Sequence, residues 1–284
     1  MDTIIIDGLS FALPLFIIAI GGIYSEKSGI TNLALEGFQG FGAFTGALAA
    51  VLIANALGTD IQNLFYVALL FAMLGGMAFS VIHAVLSIKF KADQVISGVV
   101  INILALALTT FLTTQINSLV FGTASDKFQL GVSQRFTIEW LADIPVIGAI
   151  FTNVYPFEVI IVVIAVFAWY LLYKTRYGMR LRACGENPHS VDTAGVDVAK
   201  IRFSAVLVSG LLSGLGGMCF AYSISANFSS SIYMGYGFLA IAALIFGNWR
   251  IVPTLAACLL FGFAKSGGTF IAQSMALPSS FTDL

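Results

Sequence analysis

The sequence predicts an all-α protein, a polytopic transmembrane helical bundle of about eight membrane segments. Hydrophobic residues make up 59% of its 284 residues and charged residues only 10%. Mean hydropathy is +0.97, and the apolar stretches run to 17–25 residues, the length that carries a helix across the hydrocarbon core. Such runs are far longer than the ~9–11 residues of a barrel strand. The net charge of −1 gives no electrostatic footprint for a nucleic-acid partner.

In chain order the predicted segments are Leu9–Tyr24, Leu33–Leu57, Leu64–Ile88, Val95–Leu119, Phe157–Tyr173, Phe203–Tyr222, Gly235–Gly247 and Pro253–Ala272. The N-terminus, MDTIIIDGLSF, is acidic where a signal peptide is basic, so no cleavable leader is expected. SEKSGITNLALEG breaks the chain between the first two segments at membrane-interface depth. Lys89-Phe90-Lys91 closes the third, and a polar stretch, Phe121–Pro156, follows the fourth. The seventh has only 13 residues, too few for a simple crossing. Either it extends back through Ile232 or it is a broken helix packed inside protein. Small residues, as in Gly75-Gly76 and Gly214-Gly216-Gly217, let helices approach closely in lipid. Gly-Gly-Met-x-Phe recurs at 75–79 and 216–220, read either as an internal duplication or as coincidence in a Gly-rich chain.

The most charged run, Lys174–Arg202, sets the orientation. With that loop in the cytoplasm, alternation puts ten of the thirteen Lys and Arg inside and leaves only Lys127 and Arg135 outside, with Lys265 within the last segment. Within the run, Asn187-Pro188 reads as an N-cap with Pro at the first helical position, and Gly195 as a left-handed stop. The spacing predicts a two-turn helix over Pro188–Ala194, too short to stand alone in water and so in need of a docking partner.

Catalytic chemistry finds little support. Gly262-Phe263-Ala264-Lys265-Ser266 lacks the glycine before the lysine that a phosphate loop needs, and His83 and His189 are the only histidines. Cys184, Cys219 and Cys258 have no metal-like spacing. Intramembrane polar residues are costly and tend to face the bundle interior. Glu36, four residues after Asn32 and expected on the same helical face, either braces backbone opened at Gly29 or lines a transport path. Asn102, Thr109, Thr110, Thr113 and Thr114 mark the fourth segment, where threonines more often bond back to their own helix.

Four stretches together carry a resemblance: SEKSGITNLALEGFQGFGAF (25–44), ADQVISGVVINILAL (92–106), TRYGMRLRACGENPHSVDTAGV (175–196) and GYGFLAIAALIFGNW (235–249). With them the sequence resembles the permease subunits of ATP-binding-cassette importers, in the group of ribose and branched-chain amino-acid permeases, and is most similar to the nucleoside-uptake branch. The resemblance implies a type II-like importer permease in the cell membrane. It implies one permease domain over 1–284, with a cytoplasmic coupling loop at 174–202 and an extracytoplasmic loop at 121–156. Gly185, Glu186, Asn187, Pro188, Ala194 and Gly195 match the family's ATPase-coupling motif. The implied partners are an ABC ATPase that carries ATP and Mg, a second and different permease, and a substrate-binding lipoprotein outside; this chain itself binds no cofactor.

Asn32, Glu36, Phe41 and Asn102 are the candidates for the translocation pathway. Phe38, Phe41, Phe44 and Trp249 offer rings on which a base could stack, each stack worth about 1–3 kcal/mol. A ribose or related sugar permease shares the scaffold. An ion-coupled transporter would need acid–base relays that the segments barely offer, and an intramembrane enzyme would need paired catalytic groups. Family members continue into one more hydrophobic segment and a basic tail, whereas this sequence stops at Leu284, so a final helix is expected to be absent or removed.

Overall fold

A computed structural model describes residues 2–131, 135–142 and 148–275. Its helices are α1 (Asp2–Lys27), α2 (Leu35–Leu57), α3 (Phe65–Ala84), α4 (Gln94–Phe121), α5 (Glu139–Ala142), α6 (Pro156–Lys174), α7 (Arg176–Glu186), α8 (Pro188–Thr193), α9 (Val198–Phe220), α10 (Tyr236–Phe246) and α11 (Ile251–Ser274). Two three-residue strands, β1 (Lys127–Gln129) and β2 (Asn227–Ser229), pair antiparallel. Asp143 and the stretch from 276 onward lie outside the described residues.

Seven helical spans among the described residues are long and apolar enough to cross a membrane. The most buried are α1 and α9, which form the centre of the bundle. Leu15, Ile17, Ile18, Ile20 and Ile23 of α1 are fully enclosed. The small residues do the packing work assigned to them. A β-carbon on Gly76 would run into the Gly210 carbonyl, and one on Gly217 into the Gln39 carbonyl. Both copies of the Gly-Gly-Met-x-Phe phrase therefore serve close backbone approach, each against different neighbours.

Several spans start or stop for a local reason. The Asp93 carboxylate caps α4, accepting from Val95 and Ile96 N–H at 2.9 Å each. Gly58 and Gly122 take left-handed conformations after α2 and α4. Five-residue π-helical turns extend α3 (Val85–Lys89) and α9 (Ala221–Ser225), adding to each crossing.

The seventh predicted segment is one short helix, α10, which does not extend back through Ile232 but follows non-helical chain. From β2 the chain descends without helix, with Ser230 bonding Thr110 and Tyr233 bonding Thr109 halfway along α4. The eleven-residue α10 then completes the passage, and Trp249 after it donates to Glu26 at the end of α1. Irregular backbone at that depth is tolerated because it is packed against α2 and α4.

The β1–β2 pairing ties the ends of α4 and α9 to one face. On the opposite face, α7 abuts the end of α1, with Gly185 against Lys27. The two regions thus stand at opposite ends of the bundle, and the charge reading assigns the α7–α8 end to the cytoplasm. A Ser190→Cys variant should accordingly react with an impermeant thiol reagent only from the cytoplasmic side, and Ser125→Cys only from outside. The native cysteines are buried and should stay silent. Labelling of both variants from one side would contradict the topology.

Candidate functional site

Two features bear on function: an open cavity between α2, α4 and the start of α10, and a helical unit at the end of the bundle opposite the β1–β2 pairing.

The cavity forms around the break between α1 and α2. After Lys27 the chain leaves the helix, Gly29 turns at φ +87°, and α2 begins only at Leu35. Asn32 therefore precedes the helix, and the expected Asn32/Glu36 alignment on one helical face does not form. Asn32 is buried, donating from Nδ2 to Ser209 of α9 at 2.9 Å and accepting from Ala34 N–H at 3.0 Å. Side chains from two helices, α3 and α4, hold the remaining break backbone. Asn102 bridges it, accepting from Gly37 N–H and donating to the Leu33 carbonyl, both at 2.8 Å. Gln94 accepts from Thr31 N–H at 2.7 Å. His83 lies 3.2 Å from the Thr31 carbonyl through Nε2 and 3.0 Å from the Ser97 hydroxyl through Nδ1. A carbonyl can only accept, so Nε2 carries the proton and Nδ1 accepts.

Glu36 faces the other way, toward α10. Its carboxylate accepts from Gly235 N–H at 3.0 Å and lies within reach of the N–H groups of Gly237 and Phe238. A negative group at the open end of a half-helix satisfies its orphan donors and its dipole together. Beside it is a cavity of about 190 Å³ lined by Glu36, Asn102, Leu106, Tyr233, Met234 and Phe238, with Val99 and Ile103 at its margin. Glu36 and Asn102 thus meet at one site, and Asn32 supports it from behind. Phe41 stands apart, its ring stacked on Phe79 at 4.3 Å between centroids. The other proposed stacking rings are spent on protein as well. Phe38 is fully buried against His83, Phe44 packs on Phe128 and Phe228, and Trp249 uses its indole N–H on Glu26.

The threonines mostly follow the local reading. Thr113 and Thr114 bond back to Thr109 and Thr110 carbonyls, whereas Thr109 and Thr110 also hold the descending chain before α10. Lys265, in α11, donates to the Tyr236 hydroxyl at 2.6 Å and lies over the Phe11 and Tyr236 rings.

The unit formed by α7 and α8 is larger than the predicted two-turn helix. α8 covers Pro188–Thr193, with the Asn187 side chain accepting from Ser190 N–H at 3.1 Å and Gly195 at φ +78°. Before it stands a second helix, α7, that the reading passed over. Thr175 caps it by accepting from Gly178 N–H at 3.2 Å. Its signal was the spacing of Tyr177, Leu181 and Cys184, which puts one apolar face against the bundle. Of the motif residues, Gly185 and Glu186 end α7, Asn187 and Pro188 start α8, and Ala194 and Gly195 stop it. Met179, Ala183, Asn187, Val191 and Ala194 line an outward groove between the two helices. Asp197 caps α9, and the Lys200 N–H and ammonium hold its carboxyl below the ordinary carboxylate range.

Comparison with known proteins bears on what this combination is. The family model described as branched-chain amino acid transport system / permease component matches residues 4–283. The chain is 42% identical to the guanosine ABC transporter permease protein NupQ of Bacillus subtilis (strain 168), covering 91% of this chain and 79% of that protein. It is 38% identical to the nucleoside ABC transporter permease protein NupC of Lactococcus lactis subsp. cremoris, covering 100% of this chain and 88% of that protein. A second Bacillus subtilis protein, the guanosine ABC transporter permease protein NupP, is 26% identical over 95% of this chain and 75% of its own length. No solved structure matches. With a family model that covers nearly its whole length and a bundle of membrane-spanning helices, this chain belongs to the branched-chain amino acid transport system permease component family, as a membrane permease of the ABC type.

Proposed function

We propose that this chain is one of two different permease subunits of an ATP-driven nucleoside importer. The observation that carries the substrate class is the 42% identity to a guanosine permease over nearly the whole chain. The cavity beside Glu36 is compatible with a share in that path. At about 190 Å³ it is smaller than the ~300 Å³ at which ligand pockets begin. It opens on exposed apolar residues, among them Val99, Ile103, Met234 and Phe238. A half-site of that kind is completed by a second permease. NupP and NupQ, two guanosine permeases of one organism, support a pair of unlike subunits.

ATP and Mg act on a separate ATPase that docks at α8, and a lipoprotein outside delivers the solute. Glu36 and Asn102 hold the pathway wall, with Asn32 behind them, while Phe41 stiffens α2 against α3. Gly185, Glu186, Asn187, Pro188, Ala194 and Gly195 shape the docking unit.

The test is uptake of radiolabelled guanosine by cells carrying the complete transporter, with unlabelled nucleosides, ribose and glucose as competitors. Guanosine uptake that other nucleosides reduce and sugars leave unchanged is the expected result. Competition by sugar alone would replace the nucleoside reading with the sugar one.

A further inference from the structure

Arg202 stands in the first turns of α9, between the ends of two other helices. Its Nε donates to the Ser28 carbonyl at 3.0 Å, and its Nη2 donates to the Cys184 carbonyl at 3.2 Å. One carbonyl follows the end of α1 and the other lies in the last turn of α7. Helix C-terminal ends carry unsatisfied acceptors and partial negative charge, so a single guanidinium serves both. Among the described residues it forms no ion pair with any carboxylate. Ser28 and Cys184 are fully buried, so water does not share these contacts.

Two glycines make the junction possible. Gly29 has φ +87°, and a β-carbon there would press on Nη2. A β-carbon on Gly185 would strike the Lys27 carbonyl oxygen and crowd the Gly29 backbone. α7 therefore lies backbone to backbone on the end of α1, with Arg202 fastening both. Only a few residues separate this fastening from the cavity. Ser28 leads to Asn32, which bonds Ser209, then to Leu33 and Gly37, which Asn102 holds, and to Glu36 in the first turn of α2, whose carboxylate reaches the start of α10. A displacement of α7 and α8 would thus pass to the cavity along a short run of backbone pinned by these side-chain hydrogen bonds.

We propose that Arg202 is the positioning residue that transmits movement of the α7–α8 unit to the Ser28–Ala34 break and so to the cavity beside Glu36. The proposal rests on the reading of α8 as the ATPase contact. Lysine keeps the charge but gathers its donors on one nitrogen, without the planar fork whose Nε and Nη2 reach the two carbonyls, and glutamine keeps some hydrogen bonding without the charge.

The experiment compares Arg202→Lys and Arg202→Gln with the parent in the complete reconstituted transporter, reading guanosine uptake, ATP hydrolysis and co-purification of the ATPase. Ala194→Asp serves as the control for the docking reading. The expected result is an ATPase that still co-purifies with both Arg202 variants while uptake per ATP hydrolysed falls at least tenfold, more for Gln than for Lys. An unchanged ratio in both variants overturns the proposal. Failure of both to assemble also overturns it, because the guanidinium is then structural. If the Arg202 variants keep the ratio while Ala194→Asp loses the ATPase, the docking reading stands and only the transmission role fails. If Ala194→Asp keeps both the ATPase and uptake, the docking reading itself fails.

Discussion

Ala194→Asp is expected to abolish uptake and to release the ATPase subunit from the purified complex, while the membrane bundle stays folded. Ala194 follows α8 directly and borders the groove between α7 and α8, exposed and away from the lipid-spanning helices. A carboxylate there enters the contact desolvated and unpaired, and leaving a buried charge unpaired costs about 3–5 kcal/mol. That exceeds two decades of affinity. Gly195→Val should act more mildly and by a different route. Gly195 sits at φ +78°, and a β-carbon there would meet no neighbour within 4 Å, so the only penalty is the left-handed backbone. The penalty is about 1–2 kcal/mol, enough to unwind the stop of a helix that has six residues. Uptake should fall roughly 5–30-fold, with the ATPase still bound. Co-purification and vesicle uptake read both effects. Equal behaviour of the two variants would mean that charge at the contact is irrelevant.

Glu36→Ala is the second large effect. The carboxylate holds the first N–H groups of α10, and its removal leaves donors at the wall of the cavity without partners. A hydrogen bond to a charged group is worth about 1.5–3 kcal/mol, so uptake should drop by roughly tenfold or more. Glu36→Gln retains one acceptor oxygen but loses the charge that complements the helix end, and an intermediate loss is expected. Asn102→Ala should resemble Glu36→Ala, because it frees the Leu33 carbonyl and the Gly37 N–H in the same wall. Assembly, measured by co-purification, should survive in all three. Parental uptake by Glu36→Ala would reduce Glu36 to a tolerated interface carboxylate.

Much of this architecture was legible because lipid imposes simple rules. Apolar length located the seven spans. The α8 helix was readable from three residues, Asn187, Pro188 and Gly195, each with a local chemical role that the structure repeats. What stayed hidden depends on contacts between distant parts of the chain. Nothing local announces that residues 230–235 descend unwound, since their stability comes from Thr109, Thr110 and Glu36 on other helices. The β1–β2 pairing joins residues about a hundred positions apart across two loops, and three-residue strands carry no periodicity to detect. Asn32 was assigned to the same face as Glu36 because helical spacing was assumed through the break at Gly29. The α7 helix is a different case. Its apolar spacing was present in Tyr177, Leu181 and Cys184, but the basic residues between them made the stretch read as loop.

A photocrosslink reads directly whether α8 receives the stroke of a separate ATPase. A photoreactive amino acid replaces Ser190, which is exposed on α8, and in a control it replaces Ser125 on the opposite face. The complete transporter is irradiated in membranes with and without ATP. We expect the Ser190 probe to capture the ATPase subunit, with a yield that changes when ATP is added, and the Ser125 probe to capture none of it. Capture from Ser125, or none from Ser190 in a complex that still transports, would contradict the account.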